Sequence, residues 1–230
     1  MRSRAEFAFA QTRLQARHGE RLTDADWRAL ESAQSPDRYL EQARATSLRR
    51  FVARIGGGMD SHAIERALRA EARAYVDEVA AWAPVRWRPA VAWLRHAPDA
   101  PLIDGLRRGA SLPSWMRADA ALAPVVGDDG VSRTTTDRMD EWRRLWPKDA
   151  AHCATLARLA EAVSIELARA AQENARPELA RLFIRAIRAH PATPAALVAH
   201  IGLTFLDLER LRGGMTRRAL FAADDGSAAA

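Results

Sequence analysis

The apolar residues of this 230-residue chain recur at helical spacing along most of its length. In the first segment Phe7, Ala10 and Leu14 repeat every three or four residues, which places them on one face of a helix from about Arg4 to Arg17. The alternating pattern of a half-buried strand is not sustained over a comparable length. The pattern therefore predicts an all-α fold, a multi-helix bundle of one or two helical lobes with no significant sheet.

Capping residues predict where the first helices begin and end. Gly19 should end the first helix as a left-handed cap. Thr23 followed by Asp26 resembles a capping box, so a short helix should start there. The pair Ser35–Pro36 provides a cap and a first-turn proline for a helix that should run to about Ile55.

Prolines divide the chain after a long helix that should extend from Asp60 or Ser61 to about Trp82. The next 50 residues should form short helices and turns because they contain Pro84, Pro89, Pro98, Pro101, Pro113 and Pro124. Within them, VVGDDGVSR (125–133) predicts a loop tip. We therefore expect a helical lobe at 1–98, a Pro/Gly-rich connector with short helices at 99–134, a second helical lobe at 135–221 and a disordered tail at 222–230.

The second lobe should contain four helices. The first carries Met139, Trp142 and Trp146, the second spans about 147–174, and the third follows Pro177. Thr193–Pro194 opens the last one.

Charge and cysteine content restrict the classes of protein that the chain can belong to. The formal net charge is +6 and almost all of the positive charge is arginine, since Lys148 is the only lysine. Acidic residues are interspersed with the arginines, so contact with nucleic acid is not favoured over a protein partner. Cys153 is the only cysteine, which excludes an internal disulfide framework and predicts a cytoplasmic protein. No apolar run is long enough to cross a bilayer, so any membrane contact should be peripheral, at the inner face.

The sequence Arg17-His18-Gly19 matches the local motif of histidine phosphatases, in which the histidine accepts a phosphoryl group. That chemistry needs the motif at the end of a β-strand, whereas here it should end a helix, and we reject the phosphatase interpretation. A metal site at His96 and Asp99 is also not favoured, because a second histidine at ligand spacing is missing. We expect a protein with no catalytic residues, no cofactor and no metal.

Tryptophan and arginine alternate in two segments that are candidate partner-binding surfaces. The residues concerned are Trp82, Arg86, Trp87, Arg88, Trp93, Trp142, Arg143 and Trp146. Indole rings flanked by arginines could stack on single-stranded bases. They could equally bury the indoles in a core, and the intervening Val85, Val91 and Leu94 favour that alternative.

The first 80 residues resemble the N-terminal pattern of the C/d (AC39-type) subunits of V-type and A-type rotary ATPases. The resemblance covers the sequence FAFAQTRLQARHGERLTDADWRALESAQSPDRYLEQARATSLRRF and the helix that contains Ile64-Glu65. FLDLERLRGGM (205–215) is similar to a recurring helix of that family. The matching positions are Phe7, Phe9, Arg13, Leu14, Arg17, Leu22, Leu30, Tyr39, Leu40 and Thr46.

The resemblance implies a non-catalytic cytoplasmic subunit that couples the central stalk to the membrane rotor ring. Its partners would be stalk and rotor-ring subunits. Members of the family are longer and have three similar helical lobes, whereas this chain has room for about two. We therefore expect a helical interaction or assembly subunit; the alternative is a helical nucleic-acid-binding protein or regulatory adaptor.

Overall fold

The all-α prediction is confirmed by a computed structural model, which describes residues 5–99, 106, 109–111, 135–148, 150–170 and 176–227. These residues contain ten α-helices and two short 3₁₀-helices, and no strand. The α-helices are α1 (Ala8–Gly19), α2 (Asp24–Glu31), α3 (Pro36–Arg44), α4 (Arg49–Val52), α5 (Ser61–Trp82), α6 (Arg88–Ala92), α7 (Thr135–Arg144), α8 (Ala150–Ala170), α9 (Arg176–Ala189) and α10 (Pro194–Ser227). The 3₁₀-helices are Val85–Trp87 and Trp93–Asp99.

Side-chain caps start the helices at the places that the sequence predicts. The Thr23 side chain accepts a hydrogen bond from the backbone N–H of Asp26, whose carboxylate accepts one from the backbone of Thr23, so the capping box is confirmed. The side chains of Ser35 and Asp60 cap α3 and α5 by accepting hydrogen bonds from the backbone N–H groups of Arg38 and Ala63. Each cap provides an acceptor for a backbone N–H that has no partner within the helix.

Two predicted helix ends are wrong. Gly19 is the last residue of α1, and Glu20 follows it with φ −83°, so there is no left-handed cap. The helix predicted from Ser35 to Ile55 is divided into α3 and α4. Thr46 explains the break, because its hydroxyl donates to the carbonyl of Ala43 at 2.8 Å and accepts from the N–H of Leu48 at 3.2 Å. Such local bonds compete with helical ones.

The C-terminal helices differ from the prediction in their lengths. Helix α7 ends at Arg144, so Trp146 lies beyond it. Helix α8 begins at Ala150 instead of at residue 147, and the predicted end at 174 lies outside the described residues. Helix α10 continues to Ser227, so the residues 222–227 that the sequence assigns to a disordered tail are helical. The alanines in that stretch favour helix. The predicted loop tip at 125–133 lies outside the described residues.

One hydrophobic core joins the segments on either side of the predicted connector. Its residues come from α1 to α6 as well as from α7 to α10. Helix α10 contacts α9 along its length and also α5, α3 and α1. The turn between α9 and α10 is attached to α1, since the backbone N–H of Ala192 donates to Oε1 of Gln11 at 2.8 Å. The residues 1–98 and 135–221 therefore share a core within the described part of the chain.

Close packing against α10 predicts opposite effects of alanine at two adjacent glycines. A Cβ added at Gly214 would lie 2.3 Å from the hydroxyl oxygen of the buried Tyr39, whereas one added at the exposed Gly213 would meet nothing within 4 Å. We expect Gly214→Ala to lower the free energy of unfolding by about 1–3 kcal/mol. Gly213→Ala should raise it by up to about 1 kcal/mol, since alanine favours helix. Urea unfolding measures both, and equal effects would contradict the packing of Tyr39 on Gly214.

Candidate functional site

The tryptophans predicted as partner-binding residues lie mainly in the core. Trp87 is 0% exposed, Trp142 4% and Trp82 7%, so their rings are buried in the core, as the alternative interpretation of the sequence expects, and a role in partner binding stays a prediction. The Trp87 ring lies near Phe7 and His152, with ring centroids 6.5 and 6.1 Å away. Burial of the large apolar ring explains this outcome.

The remaining candidates surround the core tryptophans. The ring of Trp93 stacks on Trp142 at 5.9 Å and that of Trp146 meets Trp142 edge-on at 5.0 Å, so both are half-buried. Trp142 Nε1 also donates to the carbonyl of Ala90 at 2.7 Å. Trp142 therefore contacts both of these rings, which lie at the edge of the core.

The arginines of those segments form internal contacts. Arg86 pairs with Glu6 at 2.9 Å, and Nε of Arg88 donates to the carbonyl of Ala83 at 3.1 Å. Arg143 pairs with Asp140 at 3.2 Å on an exposed surface. A role of Arg86, Arg88 and Arg143 in partner binding stays a prediction.

A small pocket lies elsewhere, where the end of α1, the start of α4, the middle of α5 and the middle of α10 meet. Its volume is about 40 Å³. The sequence did not predict it. The polar residues that line it are Arg17, Glu20, Arg21, Ser47, Arg50, Tyr75, His200, Thr204 and Asp207. Three guanidinium groups from two separate parts of the chain therefore converge on one cavity.

The Arg21–Asp207 ion pair closes one side of this pocket. Nε and Nη2 of Arg21 donate to the two carboxylate oxygens of Asp207 at 2.9 and 2.8 Å. The side chains are 22% and 17% exposed. Burial raises the pKa of Asp207, and the hydrogen bond from Arg21 opposes this shift. The bidentate geometry holds the segment after α1 against α10.

On the other side Arg17 and Arg50 share the carboxylate of Glu78. Arg17 lies 3.4 Å from Glu78 and 3.1 Å from Glu20, and Arg50 hydrogen-bonds Glu78 and stacks over the ring of Tyr75 at 4.4 Å. Burial alone would raise the pKa of Glu78, but the bonds and charges of Arg50 and Arg17 lower it overall. Glu78 therefore stays charged and links α1 and α4 to α5.

The floor of the pocket is formed by Tyr75 and His200. The Tyr75 hydroxyl lies 2.7 Å from Nε2 of His200, which is 1% exposed. Burial lowers the pKa of His200 to about 3 and raises that of Tyr75 to about 12. Both groups are therefore neutral near pH 7. Nδ1 of His200 is buried and has no hydrogen-bond partner in the part of the chain that the structure describes.

His18 lies beside this pocket, on the last turn of α1, as the helix-end interpretation predicts. Burial lowers the pKa of His18, and the charges of Arg21 and Arg188 lower it further. The imidazole is half-buried in a helix, where the strand-end geometry of a phosphatase is missing. His152 packs on Phe7 at a ring distance of 5.7 Å, and Sγ of the adjacent Cys153 donates to the carbonyl of Pro147 at 3.1 Å.

The positions that carry the resemblance fall into two groups. Most of the apolar ones are buried in the core: Phe7, Leu14, Leu30, Tyr39 and Leu40. Leu22 is half-buried against the core. Phe9 differs from the others, because it is 57% exposed on α1 with the guanidinium of Arg13 lying 5.4 Å from the ring centroid. Core packing therefore explains Phe7 but does not explain an aromatic residue at Phe9.

Comparison with known proteins finds no match to a family model, a curated protein or a solved structure. In the described ranges, no group of three or more histidine, cysteine, aspartate or glutamate side chains is arranged to hold a metal ion. None of the helices in those ranges has both the length and the apolarity required to cross a membrane.

Proposed function

We propose that the protein is a non-catalytic helical interaction subunit, similar in role to the C/d subunits of rotary ATPases. The observation that carries this proposal is the exposed aromatic at Phe9, at a position where the family resemblance also has an aromatic residue. Phenylalanine and arginine are enriched at the centres of protein interfaces. An exposed aromatic ring flanked by the Arg13 guanidinium is suited to contact a protein partner.

A second apolar residue is also exposed. Val85 is 73% exposed, and the adjacent Arg86 pairs with Glu6, which lies three residues before Phe9 in the sequence. We name Phe9 and Arg13 the Phe9 surface. An apolar ring beside a charged side chain corresponds to the arrangement of protein interfaces. The partners that the resemblance implies are stalk and rotor-ring subunits on the cytoplasmic side of the membrane.

The state of the pocket supports a non-catalytic role. A general acid or base works best when its pKa lies near the working pH. The pKa values of about 3 for His200 and about 12 for Tyr75 are far from neutrality, so neither group exchanges protons readily at pH 7. The carboxylates of Asp207 and Glu78 are already bound to arginines.

Affinity purification from the native cell tests the proposal. The tagged full-length chain should recover stalk or rotor-ring subunits of a rotary ATPase, identified by mass spectrometry, both at low salt and at salt concentrations that remove nucleic acid. Recovery of nucleic acid at low salt, without any such subunit at either salt concentration, would contradict the proposal and would favour the nucleic-acid alternative.

A further inference from the structure

We propose that the pocket between α1, α4, α5 and α10 is a binding site for a small phosphate-type oxyanion. This inference concerns a different surface from the Phe9 surface and does not depend on the proposed function. It is carried by the convergence of Arg17, Arg21 and Arg50 on one cavity and by the buried His200 at its floor.

One of the carboxylates at the pocket can be displaced by an anion. Arg17, Arg21 and Arg50 line the cavity with the carboxylates of Glu20 and Asp207, and Arg17 and Arg50 share that of Glu78, so three charges of each sign balance. Glu20 is the most weakly held of the three carboxylates, because its side chain is 53% exposed and pairs with Arg17 at 3.1 Å. An exposed carboxylate in such a pair is held by little energy. An entering oxyanion can therefore replace Glu20 at Arg17.

The guanidinium groups have donors left for a ligand. Asp207 occupies Nε and Nη2 of Arg21, and Glu78 is bound by Nη2 of Arg50. Because each guanidinium carries five N–H donors, Arg21 and Arg50 retain donors beyond these bonds. Arginine is suited to tetrahedral oxyanions, which accept hydrogen bonds from several directions. Phosphate is favoured over a carboxylate for this reason.

His200 provides an independent observation. His200 is 1% exposed and lines the pocket, yet its Nδ1 has no hydrogen-bond partner among the described residues. A buried polar atom without a partner costs free energy, so it usually indicates a group that binds there. When the Tyr75 hydroxyl donates to Nε2, the proton of the neutral imidazole lies on Nδ1, which is then a donor for a ligand oxygen or a bound water.

The size of the cavity limits the ligand. A volume of about 40 Å³ admits a few water molecules or a single small ionic group, and not a nucleotide base or a drug-sized molecule. The ligand is therefore inorganic phosphate or the phosphoryl end of a small molecule whose remainder lies outside the pocket.

Titration of the full-length chain with inorganic phosphate at pH 7.5 and constant ionic strength tests the inference. Isothermal titration calorimetry should show saturable binding with a Kd of about 1 mM or tighter. Acetate, a planar carboxylate, should bind more weakly over the same concentration range. The absence of saturable phosphate binding, or acetate binding as tight as phosphate, would overturn the assignment.

Variants at Ser47 localise the binding without disturbing the ion pairs. Ser47 lines the pocket and its residue is exposed, so substitutions there should leave the fold intact. Ser47→Asp adds a negative charge at the pocket and should weaken phosphate binding at least about fivefold, whereas the neutral Ser47→Asn should not. Equal affinities for the two variants would place the phosphate elsewhere and overturn the proposal.

A second pair of variants separates the pocket from net charge. Arg50→Gln removes a lining guanidinium, and Arg185→Gln removes an exposed one from α9, so both change the net charge equally. Phosphate affinity should fall at least about fivefold for Arg50→Gln only. Far-ultraviolet circular dichroism shows whether each variant is folded. An equal loss in both variants would indicate a general charge effect and would contradict a built site.

Discussion

Replacing Asp99 with asparagine should lower the free energy of unfolding by about 3 kcal/mol. Asp99 is 1% exposed, and its carboxylate lies 3.0 Å from Arg69 and 3.2 Å from Arg73, both on α5. Arg69 is itself buried at 7% exposure. Removal of the carboxylate leaves the two guanidiniums without that compensating charge in a region of low dielectric constant, which is costly. Glu65, 2.7 Å from Arg69, limits the loss.

Asp77→Asn is the matched control for this prediction. Asp77 hydrogen-bonds Arg95, and the two side chains are 46% and 42% exposed. The same substitution there should cost at most about 1 kcal/mol, because water screens an exposed pair. Urea unfolding followed by tryptophan fluorescence measures both variants. If Asp99→Asn costs no more than Asp77→Asn, the buried cluster does not hold the end of the Trp93–Asp99 helix on α5.

Acid should destabilise the protein between pH 6.5 and pH 4.5, and His200 should be the main cause. Burial lowers the pKa of His200 from 6.5 to about 3 in the folded state. Because the unfolded chain binds the proton more tightly, the stabilisation from the neutral imidazole is complete above pH 6.5. It is lost as the pH falls from 6.5 towards 3. The loss is about 1.4 kcal/mol for each pH unit, or about 2–3 kcal/mol at pH 4.5.

The variants His200→Gln and His62→Gln isolate this effect. Glutamine at 200 cannot take up a proton, so the free energy of unfolding should fall much less between pH 7 and pH 4.5 than in the wild type. His62 is exposed, so His62→Gln should retain the wild-type slope. His18, whose pKa is also lowered by burial, should leave a smaller residual slope in His200→Gln.

Equal slopes in the two glutamine variants would show that His200 is not the source of the acid sensitivity. The protonation of Asp207 does not affect the comparison between the two glutamine variants. Burial raises its pKa, so its protonation favours the folded state as the pH falls, and this effect is present in all of the proteins compared.

The helical class and several helix starts could be predicted because they depend on local chemistry. Asp60 accepts a hydrogen bond from the backbone N–H of Ala63 at 2.7 Å, three residues away, and such a cap is visible in the sequence. Thr46 shows the limit of this reasoning. A threonine is common inside helices, and only its bonds to Ala43 and Leu48 divide the predicted helix into α3 and α4.

The pocket could not be predicted, since it depends on which helices lie next to each other. Arg21 and Asp207 are 186 residues apart, and Tyr75 and His200 are 125 apart. Helical periodicity indicates the apolar face of each helix but not its neighbour. One signal was present. His200, Thr204 and Asp207 follow each other at helical spacing along an apolar stretch of α10, and polar residues in such positions usually have partners.

The proposed function depends most directly on the Phe9 surface. The decisive measurement is the amount of rotary-ATPase stalk and rotor-ring subunits recovered with Phe9→Ala and with the matched variant Gln15→Ala. Both residues are exposed on α1, so neither substitution should unfold the chain. Loss of an aromatic at the centre of an interface costs about 2 kcal/mol or more, so Phe9→Ala should reduce recovery at least about tenfold, with Gln15→Ala close to wild type. Equal recovery with both variants, or no such subunit with the wild type, would contradict the proposed role.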